Sequence, residues 1–172
     1  MKSYSNILCP YQQSIRLCVS DTWRLNKNMM VQMPTGIGKL HSLASVIHEH
    51  LQERQRQSVW IATHRRELVE QIEDTVVRYG IRKEEGLVCS SQWLSHHWED
   101  VENDRSDLIV IDEAHRALAE TYKELWAHYP DAKNWADSHS LSHEKAGIHG
   151  FVRHPRRIRQ HPTLTLISSK RS

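Results

Sequence analysis

The stretch Met30 to Leu40, which reads MVQMPTGIGKL, constrains the fold of this chain more than any other. An apolar run stops at Pro34, and a glycine-rich turn ending in Lys39 follows. Next comes LHSLASVIHEHLQ, whose apolar residues Leu40, Leu43, Ala44, Val46 and Ile47 recur at helical spacing. Strand, glycine loop with terminal lysine, then helix is the context that a phosphate-binding loop requires. Gly36 and Gly38 can take backbone angles closed to other residues, so that successive N–H groups curl around an oxyanion. The helix amino terminus adds partial positive charge, and Lys39 adds a full one. The alternative is an ordinary strand-to-helix turn, where glycine and lysine are also common. One position departs from the pattern: the hydroxyl residue expected after the lysine, which faces magnesium, is replaced by Leu40.

A chain of 172 residues is the length of one domain. With 38% apolar and 26% charged residues it has the composition of a soluble globular protein. A net charge of +2 establishes no nucleic-acid partner by itself. Cys9, Cys18 and Cys89 show no paired spacing, which points to reduced thiols in the cytoplasm and to neither zinc nor disulfides. No stretch approaches the length of a membrane span, and the N-terminus lacks a signal-peptide core.

Residues 7 to 25 begin with a turn at Pro10 and continue as a partly amphipathic helix through Ile15, Leu17, Cys18, Val19, Trp23 and Leu25. SVWIATH, residues 58 to 64, reads as a buried strand. Arg65 to Tyr79 form a helix with Leu68, Ile72, Val76 and Tyr79 on one side, and Gly80 stops it. GLVCS, residues 86 to 90, is a short strand, and SQWLSHHWED continues helically. Leu108 to Ile111 form a strand closing on two acids. A helix from Ala114 to about Tyr129 carries Leu118, Tyr122, Leu125, Trp126 and Tyr129, and Pro130 ends it. Strands alternating with helices predict an α/β fold with a mostly parallel sheet. From Asn134 onward His, Ser and Arg interrupt every apolar group, and only residues 163 to 167 resemble a strand.

Asp112 and Glu113 follow the strand LIVI directly. Groups beyond the carboxyl ends of parallel strands line the ligand crevice. Asp112 is placed to hold magnesium, directly or through water, and Glu113 is a candidate base toward the water that attacks a terminal phosphate. A helix start also favours acids, so the pair gains its meaning from the phosphate loop upstream. His115, with no histidine partner at helical spacing, is better suited to a hydrogen bond linking the nucleotide site to another surface than to zinc.

TGIGK, ATHRRELVEQ and DEAH, in that order, resemble the first motor domain of superfamily 2 helicases of the DEAD/DEAH type. More narrowly, they resemble the bacterial group that shares its motor with restriction-enzyme translocation subunits. The resemblance covers roughly residues 7 to 133 and implies a parallel sheet of the P-loop NTPase (RecA-like) type. It implies ATP and Mg2+ as ligands, with Lys39, Asp112 and Glu113 catalytic. Tyr11 and Gln12 would contact the adenine side, although Cys9 stands where an arginine is common. Pro34, Thr35, Gly36, Ile37, Gly38, Lys39 and Leu40 would surround the phosphates. His64 and Arg65 would approach a nucleic-acid backbone, as would Ser91 and Gln92, while His115 would couple the two sites. Phosphate contacts position a strand without reading it, so binding would be largely independent of sequence. For Arg65 the alternative is a solvated first turn of a helix.

The next family landmark, a strand ending in Thr-Ala-Thr or Ser-Ala-Thr, is missing from its place, where Lys133 is followed by NWADSHSLS. One permitted codon choice for Trp135 to Ser140, moved forward by one base, spells Gly-Leu-Thr-Ala-Thr-Pro. The same shift through Gly147 to Arg153 permits Gly-Phe-Thr-Asp-Leu-Phe, also typical of the group. The expectation is therefore an ATP-binding domain over residues 1 to 133 and an irregular, out-of-frame tail over 134 to 172. The sheet would be incomplete at its C-terminal end, with no strand between the phosphate-loop strand and the Asp-Glu strand. The second motor domain would be missing, leaving a chain that binds ATP and DNA with impaired or no activity alone. A non-enzymatic nucleotide-binding module and a non-functional product remain the alternatives.

Overall fold

Apolar strands whose residues are buried on both faces need cover on both sides, and the chain supplies it with helices. The computed structural model describes residues 8–33, 36, 38–53, 58–101, 104, 106–112, 125, 127–138, 152–154 and 165–170. Helix α1 (Pro10–Trp23) starts with proline at a position where its missing N–H is no loss. Gln12 secures that start by accepting the Cys9 backbone N–H at 3.0 Å. Ile15, Val19 and Trp23 recur at helical spacing and bury one face. Leu17, two positions from Ile15, lies on the other side and is 57% exposed, so it does not belong to the apolar face.

Strand β1 (Asn26–Gln32) leads to α2 (Lys39–Glu53), β2 (Val59–Thr63) and α3 (Glu67–Arg78). After α3 comes Gly80 at φ 79°, and the Ile81 N–H returns to the Val76 carbonyl at 3.1 Å. β3 (Gly86–Ser90) runs into α4 (Ser91–His96), whose amino terminus is capped by the Ser90 hydroxyl accepting from the Trp93 N–H. A short α5 (Trp98–Val101) precedes β4 (Leu108–Asp112). Of the helix expected after Ala114, residues 114–124 and 126 lie outside the described residues. Leu125 is helical and fully buried.

The strands lie in the order β3-β2-β4-β5-β1-β7-β6, with β5 at Lys133–Ser138, β6 at Val152–His154 and β7 at Thr165–Lys170. The first five are mutually parallel, as the sequence pattern predicts for this fold class. Beyond β1 the parallel pattern ends: β7 pairs antiparallel to it and β6 antiparallel to β7. One core packs Ile15, Met29, Ile47, Ile61, Ile72 and Trp135 against α1, α2 and α3. On the opposite face Met30, Trp60, Leu94, Ile109, Leu125 and Ala136 form a second core.

One expectation is corrected here. The position between the phosphate-loop strand and the Asp-Glu strand is occupied by β5, parallel to both neighbours. The residues that look irregular in sequence alternate correctly for this place. Trp135 is wholly buried on one face and meets Trp23 edge to face at 5.9 Å, while Ala136 fits the other core. Asn134, an unusual residue for a central strand, donates to the Asn28 side chain at 2.6 Å. Lys133 places its ammonium 5.2 Å from the Trp23 ring centroid. The strand expected near residues 163 to 167 does form, as β7, but outside β1 and not in the central position.

Candidate phosphate-binding site

The carboxyl ends of β1, β2, β4 and β5 all open on one edge of the sheet, where parallel α/β proteins bind ligands. Gly36 and Gly38 have φ of 80° and 75°, the left-handed conformation that favours glycine. The Gly38 carbonyl accepts the first helical N–H groups of α2, from His41 and Ser42. It also accepts the Gln12 side-chain amide at 3.3 Å. Gln12 thus spans two jobs, holding the start of α1 with one atom and the phosphate loop with another.

Gly36, Gly38, Lys39 and Leu40 line one cavity of about 320 Å³ together with Asp112 and Asp137. Leu68, Ile72 and Thr75 of α3 also line it. Lys39 enters with its ammonium 3.2 Å from Asp137 Oδ2, an ion pair in which the carboxylate side chain is only 5% exposed. Leu40 points its aliphatic side chain at the apolar cluster and brings no oxygen to the cavity. Asp112 ends β4 nearly buried, and its Oδ2 accepts the Thr63 hydroxyl at 3.3 Å. Thr63 Oγ1 in turn accepts the Arg65 backbone N–H at 3.4 Å. Thr63 therefore joins the segment expected to meet nucleic acid to the acid expected to meet magnesium.

The remaining site residues separate by place. Pro34, Thr35, Ile37, Glu113 and His115 lie outside the described residues. Tyr11 is half-buried on α1, and its hydroxyl is pushed above the ordinary tyrosine range by burial, with Cys9 adding to the rise. His64 is half-buried and Arg65 exposed in the turn after β2. Ser91 is buried while its neighbour Gln92 is exposed at the start of α4. None of these four lines the phosphate-loop cavity.

Sequence reasoning missed Asp137, because everything after Lys133 reads as irregular. It missed Thr63 because a threonine ending a strand is ordinary. It also passed over Trp93, which stacks on His97 at 4.5 Å with the rings 6° from parallel. Trp93 borders a second cavity of about 230 Å³ with Arg66, Glu70, Cys89 and Ser90. Burial pushes the Cys89 thiol up to about 12, which disfavours the thiolate at neutral pH.

The chain matches the family model described as "Type III restriction enzyme, res subunit" over residues 6–135. It is 28% identical over 144 residues to the "Putative ATP-dependent helicase IRC3" of Saccharomyces cerevisiae, covering 72% of this chain and 21% of that protein. The UvsW helicase of bacteriophage T4 matches in structure with a TM-score of 0.61 and 17% identity, over 81% of this chain and 55% of that one. The Hef helicase domain of Pyrococcus furiosus matches with a TM-score of 0.63 and 20% identity, over 80% of this chain and 34% of that one. At these identities the two structures show the fold alone, and this chain spans well under two thirds of each relative. Among the described residues no helix is long and apolar enough to cross a membrane. Family match and parallel sheet agree: the chain belongs to the Type III restriction enzyme res subunit family and has the α/β fold of the P-loop NTPase (RecA-like) type.

Proposed function

We propose that this chain binds ATP through its phosphate loop and serves as the nucleotide-binding lobe of a nucleic-acid helicase or translocase. The observation that carries the reading is the convergence of Gly36, Gly38, Lys39 and Asp112 on one cavity at the sheet edge. The glycine backbone and Lys39 would hold the phosphates, with Tyr11 and Gln12 beside the base. Asp112 would hold Mg2+, which when bound offsets phosphate charge. The reading also assigns phosphate contacts to Pro34, Thr35 and Ile37 and the orienting of water to Glu113, all outside the described residues. DNA would cross the adjacent edge past His64, Arg65, Ser91 and Gln92, with His115 coupling the two ligands, in a cytoplasmic setting.

Leu40 favours binding over turnover, since the magnesium side lacks its hydroxyl. Hydrolysis in such motors draws on a second motor domain outside these residues, so a non-enzymatic nucleotide-binding module is the second reading. From residue 134 the chain stands in a register shifted by one base from the family's coupling segment. Genomic sequence around codon 134 tests that part: a reading frame continuing in the shifted register supports it, and unrelated sequence there removes it. Fluorescent ATP displaced by unlabelled ATP and by inorganic triphosphate tests the site. Displacement by both is expected, and no binding at millimolar nucleotide would contradict the reading.

A further inference from the structure

We propose that Asp137 is an internal competitor for Lys39, an anion built into the sheet that nucleotide phosphates must displace or share. The inference rests on the reading of this cavity as the phosphate site. Asp137 sits at the end of β5, in register with Val31 of β1, so the central strand delivers a carboxylate beside the phosphate loop. Its position is fixed from behind, because Trp135 is wholly buried two residues earlier on the same face. Lys39 and Asp137 are 3.2 Å apart with side chains 16% and 5% exposed. Water therefore screens the pair poorly.

A lysine that is to hold phosphate cannot give its whole charge to phosphate while Asp137 faces it. Anionic phosphate entering this cavity meets a second anion at close range, and like charges juxtaposed at an interface are costly. Asp137 therefore weakens the binding of charged phosphates and leaves a neutral nucleoside unaffected. The pairing also gives the Lys39 ammonium an opposite charge, since burying an unpaired ammonium is unfavourable. The pair keeps the cavity closed to weak anions and raises the threshold for nucleotide.

The test is calorimetric titration of the 172-residue chain with ATP, inorganic triphosphate and adenosine with chelator in place of magnesium, and with ATP again in magnesium-containing buffer as a separate arm. Asp137→Asn and Asp137→Thr remove the charge and Asp137→Glu keeps it; Thr also suits a strand. Both neutral variants are expected to bind ATP and triphosphate about tenfold more tightly than wild type, with adenosine unchanged and Asp137→Glu close to wild type. Equal or weaker phosphate binding by folded neutral variants, with wild-type binding still dependent on Lys39, overturns the competitor and leaves the nucleotide site standing. A loss of affinity confined to magnesium-containing buffer would instead make Asp137 a metal-side residue, and also overturns it. Absence of phosphate binding in wild type and both neutral variants removes site and competitor together. Should neither neutral variant fold, acylation of Lys39 in wild type keeps the inference testable. Lys39 should react about tenfold more slowly than the exposed Lys83, and equal rates overturn the pairing.

Discussion

The Gln12 amide reaches the Gly38 carbonyl at 3.3 Å across 26 residues of sequence, tying the first helix to the phosphate loop. The approach is close enough that a Cβ on Gly38 would come within 2.6 Å of Gln12 Nε2. Gly38→Ala therefore meets two obstacles, the displaced amide and a φ of 75°. The expected loss is about 1–2 kcal/mol of stability from the backbone alone, with nucleotide affinity falling as the loop shifts. Denaturant unfolding read against wild type checks it. Gln12→Ala should cost about 1 kcal/mol and also loosen the start of α1.

Leu40→Thr should strengthen magnesium-dependent nucleotide binding, because it would supply a hydroxyl on the proposed metal side of the loop. Leu40 packs partly against the apolar core, so the exchange should also cost about 1 kcal/mol of stability. Titrations with and without magnesium separate the two effects. Equal magnesium dependence in the two proteins counts against the role given to position 40.

Trp135→Ala should destabilise the fold by about 3–5 kcal/mol, the range for emptying a buried aromatic site. The side chain is wholly buried and contacts Trp23, so its removal opens the sheet between β1 and the helices above it. Thermal unfolding measures this directly. A change under about 0.5 kcal/mol, the level of exposed sites, is incompatible with β5 in the central position.

Cys89 gives a pH signature. Burial raises its thiol from the ordinary 9.0 to about 12, so the folded state keeps a proton that the unfolded state releases between those values. This contribution to stability is complete below pH 9.0 and falls away as pH rises toward about 12. A thiol reagent at neutral pH should modify exposed Cys9 first and Cys89 only on unfolding. Mass spectrometry of the modified chain reads the order.

On the proposed reading the isolated chain should not separate duplex DNA in the presence of ATP, since Leu40 would leave the metal side without a hydroxyl and turnover would draw on a second motor domain. Strand-displacement assays check this. Measurable unwinding by the 172-residue chain contradicts it.

The parallel sheet and the glycine turn after β1 were legible because buried strands leave continuous apolar runs and a left-handed turn favours glycine at fixed places. β2 and β4 are such runs, and Gly36 and Gly38 take the left-handed angles their position requires. β5 was not legible. Asn134 and Asp137 break its apolar pattern, yet each has a specific partner, Asn28 and Lys39, that only the tertiary arrangement supplies. Leu17 misled in the opposite sense, being apolar but on the wrong side of its helix. Thr63 lies within the ATHRRELVEQ motif, but its link to Asp112 was not legible, since it depends on the pairing of β2 with β4.

Calorimetric titration of ATP with magnesium into wild type and Lys39→Ala tests the nucleotide site most directly. Wild type should bind one ATP per chain, and Lys39→Ala, folded by circular dichroism, should lose at least about tenfold in affinity, since a charge-assisted contact to phosphate is removed. Equal affinity in the two proteins, or no binding by folded wild type, would contradict a phosphate site at this loop.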